Sequence, residues 1–260
     1  MPASFASMQL ESGERRFGNP LRFLQVGNRS RPFQIDDQQR LSQMIGEGVR
    51  DLRPDPNLLT DDPTIATRAL TPFYDSVRES LGQQMISLLD SGANQVENVS
   101  TFLTMVDYSG DIAQWQLPTI ACVPFFPLDP ESTAQSTYTV TRLLDAVPNI
   151  RLVLIENRHG GSVGRIAPGS IAEANYATLL ATAAGADRIV MPAIQREYWA
   201  PFEGAGIRFL KILAMKPEDG ALALNRSIGE IKIMKSAVAQ FWREMHAQLS
   251  RIISLPEGGK

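Results

Sequence analysis

The residues with the clearest chemical potential are polar side chains that directly follow short apolar runs. Asp36, Asp90 and Asn157 each follow such a run, Asp90 is followed in turn by Gly92, and Pro124 ends a further run. In open parallel α/β sheets, ligands bind at the edge where the carboxyl ends of the strands converge. The sequence therefore predicts one candidate ligand site that contains Asp36, Asp90 and Asn157. Taken singly, each of these residues also suits a helix cap or a turn.

The elements that must position these residues alternate along the chain. Apolar runs of strand length are separated by segments with helical spacing, which is the pattern of right-handed crossovers in a parallel sheet. The pattern predicts an α/β fold with a doubly wound, mostly parallel sheet and helices on both faces. The predicted strands are Phe33–Ile35, Met85–Asp90, Thr119–Pro124, Arg151–Glu156 and Arg188–Pro192, and the main predicted helices are Ile65–Leu81, Asn94–Met105, Pro130–Ala146 and Ser170–Ala184.

Composition narrows the class of protein. The chain has 260 residues, is 43% hydrophobic and carries a formal net charge of −3, so nucleic acid contact would require a local basic patch. The single cysteine, Cys122, lies in an apolar run, which predicts a buried, inert thiol. No apolar run is long enough for a membrane span, and Met1–Leu10 lacks signal-peptide features. We expect a cytoplasmic protein that does not associate with membranes.

Several motifs in this order resemble the ParA/MinD-type partition ATPases, the deviant-Walker (SIMIBI-class) P-loop family. The Leu88–Gly92 segment is similar to that family's Walker B strand with its aspartate, and Asp36-Asp37-Gln38 resembles the segment after its second strand. The resemblance extends from about Phe33 to about Phe209. The other matching segments are Val123–Ser132, Val153–Arg158, Ile189–Ile194 and Phe202–Gly206.

The resemblance implies a P-loop NTPase-like fold, ATP and Mg²⁺ as cofactors, and a homodimer with a possible adaptor protein as partner. It implies that Asp90 organises the magnesium ion through water and that Asp36 orients the attacking water or senses the γ-phosphate. It further implies that Asn157 reads the adenine base, with Arg158 and Pro192 beside the nucleotide. The implied function is DNA or plasmid partition, or intracellular positioning.

The N-terminal part departs from the family pattern. The family carries Lys-Gly-Gly-x-Gly-Lys-Ser/Thr after its first strand, and this chain has no such sequence. The nearest stretch has Gly13 and Gly18 at P-loop spacing, with Arg15 or Arg16 as substitutes for the lysine, and it is also consistent with an ordinary loop. The departure predicts weak or absent hydrolysis, a pseudo-ATPase, or an interaction module that has lost nucleotide binding. The preceding Phe5–Leu10 is the candidate first strand.

The sequence suggests three parts: residues 1–32 as an atypical N-terminal segment, 33–228 as a ParA-like α/β domain, and 229–260 as a C-terminal amphipathic helix. Docking of that helix on the same domain is the favoured interpretation, and a MinD-like membrane contact is the alternative. The glycine-rich segment Arg158–Arg165 suits an anion-contacting loop or a plain linker.

Overall fold

The computed structural model describes residues 30–36, 41, 48–54, 57, 62, 64–83 and 85–252. Within these residues the chain is an α/β protein whose strands all pair in parallel. The strands are β1 (Ser30–Ile35), β2 (Arg50–Asp51), β3 (Ile86–Ser91), β4 (Ile120–Phe125), β5 (Arg151–Asn157) and β6 (Asp187–Met191). Strand β1 begins three residues before its predicted counterpart, β3 to β6 each lie within one residue of theirs, and the short β2 falls within Val49–Leu52, for which the sequence predicts a minor extended segment.

Helices fill most of the segments between these strands. Short 3₁₀ turns cover Ala93–Gln95, Arg158–Gly160 and Val163–Arg165. The described α-helices are α1 (Thr64–Arg68), α2 (Thr71–Glu79), α3 (Val96–Met105), α4 (Tyr108–Gln114), α5 (Pro130–Ala146), α6 (Ile171–Thr182), α7 (Arg196–Gly204), α8 (Phe209–Ala214), α9 (Pro217–Leu224) and α10 (Ile228–Ile252).

The described strands form two three-stranded sheets instead of the single sheet that the sequence predicts. The first has the order β2-β1-β3 and the second the order β4-β5-β6. In the described part of the chain, β3 and β4 do not pair with each other. Helix α5 links the two halves, because Leu143 packs against the core of each sheet. In the order β2-β1-β3, β1 lies between β2 and β3, the two strands that follow it in the sequence.

The second sheet has helices on both faces, as the sequence predicts. Alternate residues of β4 and β5, such as Val123 and Leu154, pack against α5 and α6. The opposite face packs against α10: Val153, Ile155, Ile189 and Met191 of the sheet contact Met245, Leu249 and Ile252 of the helix. Burial of such apolar side chains is the dominant favourable contribution to folding, worth about 1.5–3 kcal/mol each.

The first sheet packs one face against helices α2, α3 and α4. Phe33 and Ile35 of β1 are buried there, and Phe33 meets Phe73 of α2 edge to face, with 5.8 Å between ring centroids. Leu89 of β3 packs partly buried on the same core. This arrangement uses only one side of each strand, since successive side chains point to opposite faces.

The helix predicted over Ile65–Leu81 is two helices. Helix α1 ends at Arg68 and α2 begins at Thr71, with Pro72 in its first turn. Proline has no N–H and disfavours helical geometry in the residue before it, so it starts a new helix and does not continue the old one.

Side chains close two of the sheet edges. The Gln248 amide of α10 accepts a hydrogen bond from Val190 N at 2.6 Å and donates to Val190 O at 2.7 Å, replacing a neighbouring strand beside β6. On β4, the carbonyl of Pro124 accepts a hydrogen bond from Ser136 Oγ at 2.8 Å. Proline and side-chain capping both protect an edge from pairing with another strand.

Cys122 of β4 is exposed, so the prediction that it is buried is wrong. It lies on the side of β4 that faces away from α5, while Val123 and Phe125 fill the core on the other side. Desolvation by the surrounding residues of the protein still raises the pKa of the Cys122 thiol to about 11. Because the thiolate is the reactive form, contact with solvent does not make Cys122 a nucleophile near neutral pH.

Among the helices that the structure describes, none combines the length and the apolar character that a membrane crossing requires.

Candidate functional site

The best-formed candidate site lies where β1 and β3 end side by side. Gln34 pairs with Asp90 and Ile35 with Ser91 in the parallel register, and Gly92 N–H donates to the Ile35 carbonyl at 3.1 Å. Adjacent parallel strands lie about 4.8 Å apart, so the residues that leave these two strands are brought together. In the order β2-β1-β3 the chain passes to one side of β1 to form β2 and to the other side to form β3, and open α/β sheets bind ligands at such a switch point.

The residues at these two strand ends, Asp36, Asp90, Gly92 and Asn94, are called the rim. Within the rim, Asp36 and Asn94 both approach Gly92. A Cβ atom at Gly92 would lie 3.0 Å from Asp36 Oδ1 and 2.7 Å from Asn94 Oδ1. Real Cβ atoms do not lie as close as 2.7 Å to an oxygen atom. Because Gly92 has no side chain, the oxygens of Asp36 and Asn94 can both lie against its backbone. Asp36 and Asn94 therefore flank Gly92, two residues beyond Asp90.

The rim lies on the polar face of the first sheet. Alternation along the strands places Gln34 and Asp90 on the face opposite to Phe33 and Leu89, which pack on the core. Gln34 is 1% exposed, and the Oδ2 atom of Asp90 is also inaccessible to solvent. Buried polar groups of this kind are costly unless they are satisfied, so their concentration at one strand end marks a specialised place in the sheet.

The rim offers oxygen ligands of the type that magnesium prefers. Asp36, Asp90 and Asn94 supply two carboxylates and one amide oxygen. In the described residues, no group of three or more His, Cys, Asp or Glu is arranged to hold a metal ion. Magnesium in phosphate-transfer sites is commonly held by one or two carboxylates, with waters and substrate phosphates completing its octahedron. Two carboxylates fit that mode of binding and do not fit an all-protein metal cage.

Asn157 belongs to the second sheet, at the end of β5. It is 1% exposed, and its Oδ1 accepts a hydrogen bond from His159 N at 3.0 Å. The structure thus gives Asn157 the capping role that asparagine often has where a strand ends and a turn begins. Asp36 and Asp90 lie at the ends of adjacent strands in the first sheet, and Asn157 is a residue of the other sheet.

Arg158 forms an ion pair with Glu156, a residue that the sequence analysis did not select. Its Nε donates to Glu156 Oε1 at 2.8 Å, and the same oxygen accepts a hydrogen bond from Val163 N at 3.3 Å. Glu156 is 3% exposed, whereas the Arg158 side chain is 45% exposed. A carboxylate this deeply buried needs a partner, and Arg158 supplies the compensating charge.

The other predicted site residues have less defined positions. Pro192 directly follows the last residue of β6 and is partly buried. Gly13, Arg15, Arg16 and Gly18, and with them the candidate first strand Phe5–Leu10, lie outside the described residues.

Sequence reasoning missed Gln34 and Glu156, which lie inside apolar runs, and Asn94, which lies in the turn after Gly92. A signal was present for Gln34 and Glu156: a lone polar residue within a strand of otherwise apolar residues must find a partner when the strand is buried. Asn94 gave no comparable signal, since asparagine after glycine is ordinary turn composition.

Comparison of the chain with protein-family models, with curated protein sequences and with solved structures gave no match in any of the three. The class of protein is therefore defined by its own coordinates: a parallel α/β protein with two carboxylates at a strand-order switch point.

Proposed function

We propose that this chain is a ParA-like nucleotide-binding protein that holds a magnesium–nucleotide complex at the carboxyl ends of β1 and β3. The observation that carries the proposal is that Asp36, at the end of β1, contacts Gly92, two residues beyond Asp90 of the paired strand β3, at the switch point of the first sheet. Ligands of open α/β sheets bind at such points. The strand order is compatible with the P-loop-like, doubly wound fold that the motif order suggests.

In this proposal the two carboxylates have separate roles. Asp90, one of whose oxygens is out of contact with solvent, would hold the magnesium ion. Asp36, at the end of the neighbouring strand, would orient water at the γ-phosphate. When bound, the ion neutralises phosphate charge, and the chain's own contribution is to place these oxygens on adjacent strand ends.

Hydrolysis is weak or absent in the proposed function. Phosphoryl transfer depends on positive charge placed at the β- and γ-phosphates, and electrostatic stabilisation is usually the largest contribution to catalysis. The described residues of the rim supply carboxylate and amide oxygens and no cation. The protein then acts through nucleotide-controlled dimerisation in partition or positioning, and light scattering with and without ATP measures that step.

Thermal melting with MgCl₂ and increasing ATP tests the proposal. At a hundredfold excess over Kd, a ligand that binds only the native state stabilises it by about 2.7 kcal/mol. For a domain of about 150–250 residues, each kcal/mol raises Tm by about 2–4 °C. We expect this shift in the native protein and its loss in Asp90→Asn and Asp36→Asn. Asp75→Asn, an exposed position on α2, is the matched control and keeps the shift.

A second function, a non-catalytic interaction module, is favoured by one specific observation. Asn157 and Arg158, both assigned to the nucleotide by resemblance, are engaged by His159 N and Glu156 within their own loop. Absence of any melting shift at millimolar ATP would support this module and reject nucleotide binding.

A further inference from the structure

The loop that joins β5 to α6 is basic and contains no acidic residue. Between residues 157 and 172 the chain has Arg158, His159 and Arg165 and neither aspartate nor glutamate, although the whole chain has a net charge of −3. All three basic side chains are exposed. The loop is therefore a local concentration of positive charge at the carboxyl end of a parallel strand.

Two buried side chains hold this loop in one shape. Glu156 accepts hydrogen bonds from Arg158 Nε and Val163 N, at 2.8 and 3.3 Å, so it connects the start of the loop to its middle. Asn157 accepts from His159 N. Hydrogen bonds to a buried carboxylate are among the stronger ones in proteins. Ordering the loop in advance lowers the entropy that a ligand would lose when it binds there.

Gly161 lies beside the backbone of Arg158 and the guanidinium of Arg165. Its φ of 131° lies in the region that favours glycine, and a Cβ atom there would lie 2.4 Å from Leu128 Cδ1. The same Cβ position is 3.9 Å from Arg165 Nη1, and Gly161 N–H donates to the Arg158 carbonyl at 3.1 Å. The backbone of Arg158 and the guanidinium of Arg165 thus both lie beside one glycine that no other residue can replace without strain.

The positive charge of the loop is only partly compensated. Glu156 pairs with Arg158 through Nε. Within the part of the chain that the structure describes, no carboxylate forms an ion pair with Arg165. Arg53, which follows β2, differs because Asp51 binds its guanidinium with contacts of 2.9 and 2.6 Å.

We propose that the loop Arg158–Arg165 binds the phosphate groups of a nucleotide, with Arg165 and Arg158 as the contacting residues. The inference rests on the proposed function. The loop provides guanidinium groups, whose planar donors match phosphate oxygens in pairs. Arg158 keeps its outer nitrogens for a ligand while Nε holds Glu156.

Titration calorimetry with two probes, Mg–ATP and inorganic tripolyphosphate, tests this inference. Arg165→Gln is the cleaner variant, because Arg158 also compensates a buried carboxylate; Arg158→Gln is read only if its melting temperature matches the native protein. Loss of a charged hydrogen bond weakens binding by about tenfold or more, and we expect this for both probes. Arg226→Gln and Arg243→Gln are the controls, because they make the same charge change at exposed positions outside the loop. Since exposed charges are screened by salt, we expect their affinity for both probes to stay within about twofold of the native protein.

The outcomes separate the loop from the rim. If Asp90→Asn loses ATP while Arg165→Gln binds both probes like the native protein, the loop inference is wrong and the proposed function stands. If tripolyphosphate binds in a manner sensitive to Arg165→Gln but ATP does not bind, the loop stands and the proposed function is wrong. Failure of both probes to bind, or equal weakening by the control variants, overturns the loop inference.

Discussion

The two sheets of this protein differ in how completely their strands are enclosed. Every residue of β5 after Arg151 is buried, whereas no residue of β3 is buried. β5 has a paired strand on each side and helices on both faces, while β3 pairs only with β1 in the described part of the chain. The less enclosed strand is the one that carries Asp90, which suits a carboxylate, because a charge deep in the interior is costly unless it is paired.

The two sheets also differ at their outer edge strands. Gln248 replaces a partner strand along β6 with a side-chain amide, and Pro124 and Ser136 close one position on β4. Among the described strands, β3 pairs with β1 alone. The second sheet is thus a finished structural unit, and the first sheet combines a core on one face with polar chemistry on the other.

Truncation of one leucine in each sheet is the strongest test of this comparison. Leu154 of β5 is 1% exposed, and Leu88 of β3 is only partly buried. Replacing a fully buried leucine by alanine leaves a cavity and costs about 3–4 kcal/mol, while a partly buried one costs about 1 kcal/mol. We expect this difference between Leu154→Ala and Leu88→Ala in urea unfolding. Equal losses would mean that the two strands are enclosed alike.

Removal of the edge cap on β6 has a smaller expected effect. Gln248→Ala deletes two hydrogen bonds to Val190 and opens its backbone to water, which costs about 1–2 kcal/mol. Hydrogen exchange at the Val190 amide measures the effect directly and should accelerate. Gln240→Ala on the same helix removes a bond to Glu244 alone and changes stability by less than about 0.5 kcal/mol. Unchanged protection at Val190 would show that another group closes this edge.

Much of the second sheet could be predicted from sequence because its strands are uninterrupted apolar runs. Arg151–Glu156 was predicted one residue short, and Pro130–Ala146 has the predicted bounds because Asp129 caps it and Pro130 opens it. The division into two sheets was not predictable, since apolar periodicity reports burial and does not report which strand lies next to which. After β6, the sequence predicts a short helix near Phe202 and the C-terminal amphipathic helix that corresponds to α10, whereas α8 and α9 were not predicted.

The candidate site was predictable only where its residues follow strand ends. Asp36 and Asp90 were identified because each follows an apolar run, and they lie at the ends of adjacent strands because β1 and β3 pair in parallel. Asn157 also follows an apolar run, but this pattern does not show which sheet its strand belongs to. The role of Glu156 depends on a loop that folds back to bring Val163 N to its carboxylate, which no local pattern specifies.

The smallest expected change in stability comes from one methyl group, yet it tests the rim most sharply. Gly92 has φ −63° and ψ 154°, a conformation that alanine adopts freely, so Gly92→Ala perturbs Asn94 and Asp36 and does not strain the backbone. We expect a loss below about 1 kcal/mol, since both neighbours are side-chain oxygens that can rotate away. The same displacement removes the oxygens from their positions at the strand ends, so the melting shift with Mg–ATP should fall. Gly204→Ala, where no atom lies within 4 Å of the added methyl group, should retain the shift. A full shift in Gly92→Ala would place any bound nucleotide away from β1 and β3, because a ligand held there depends on the two oxygens that this methyl group displaces.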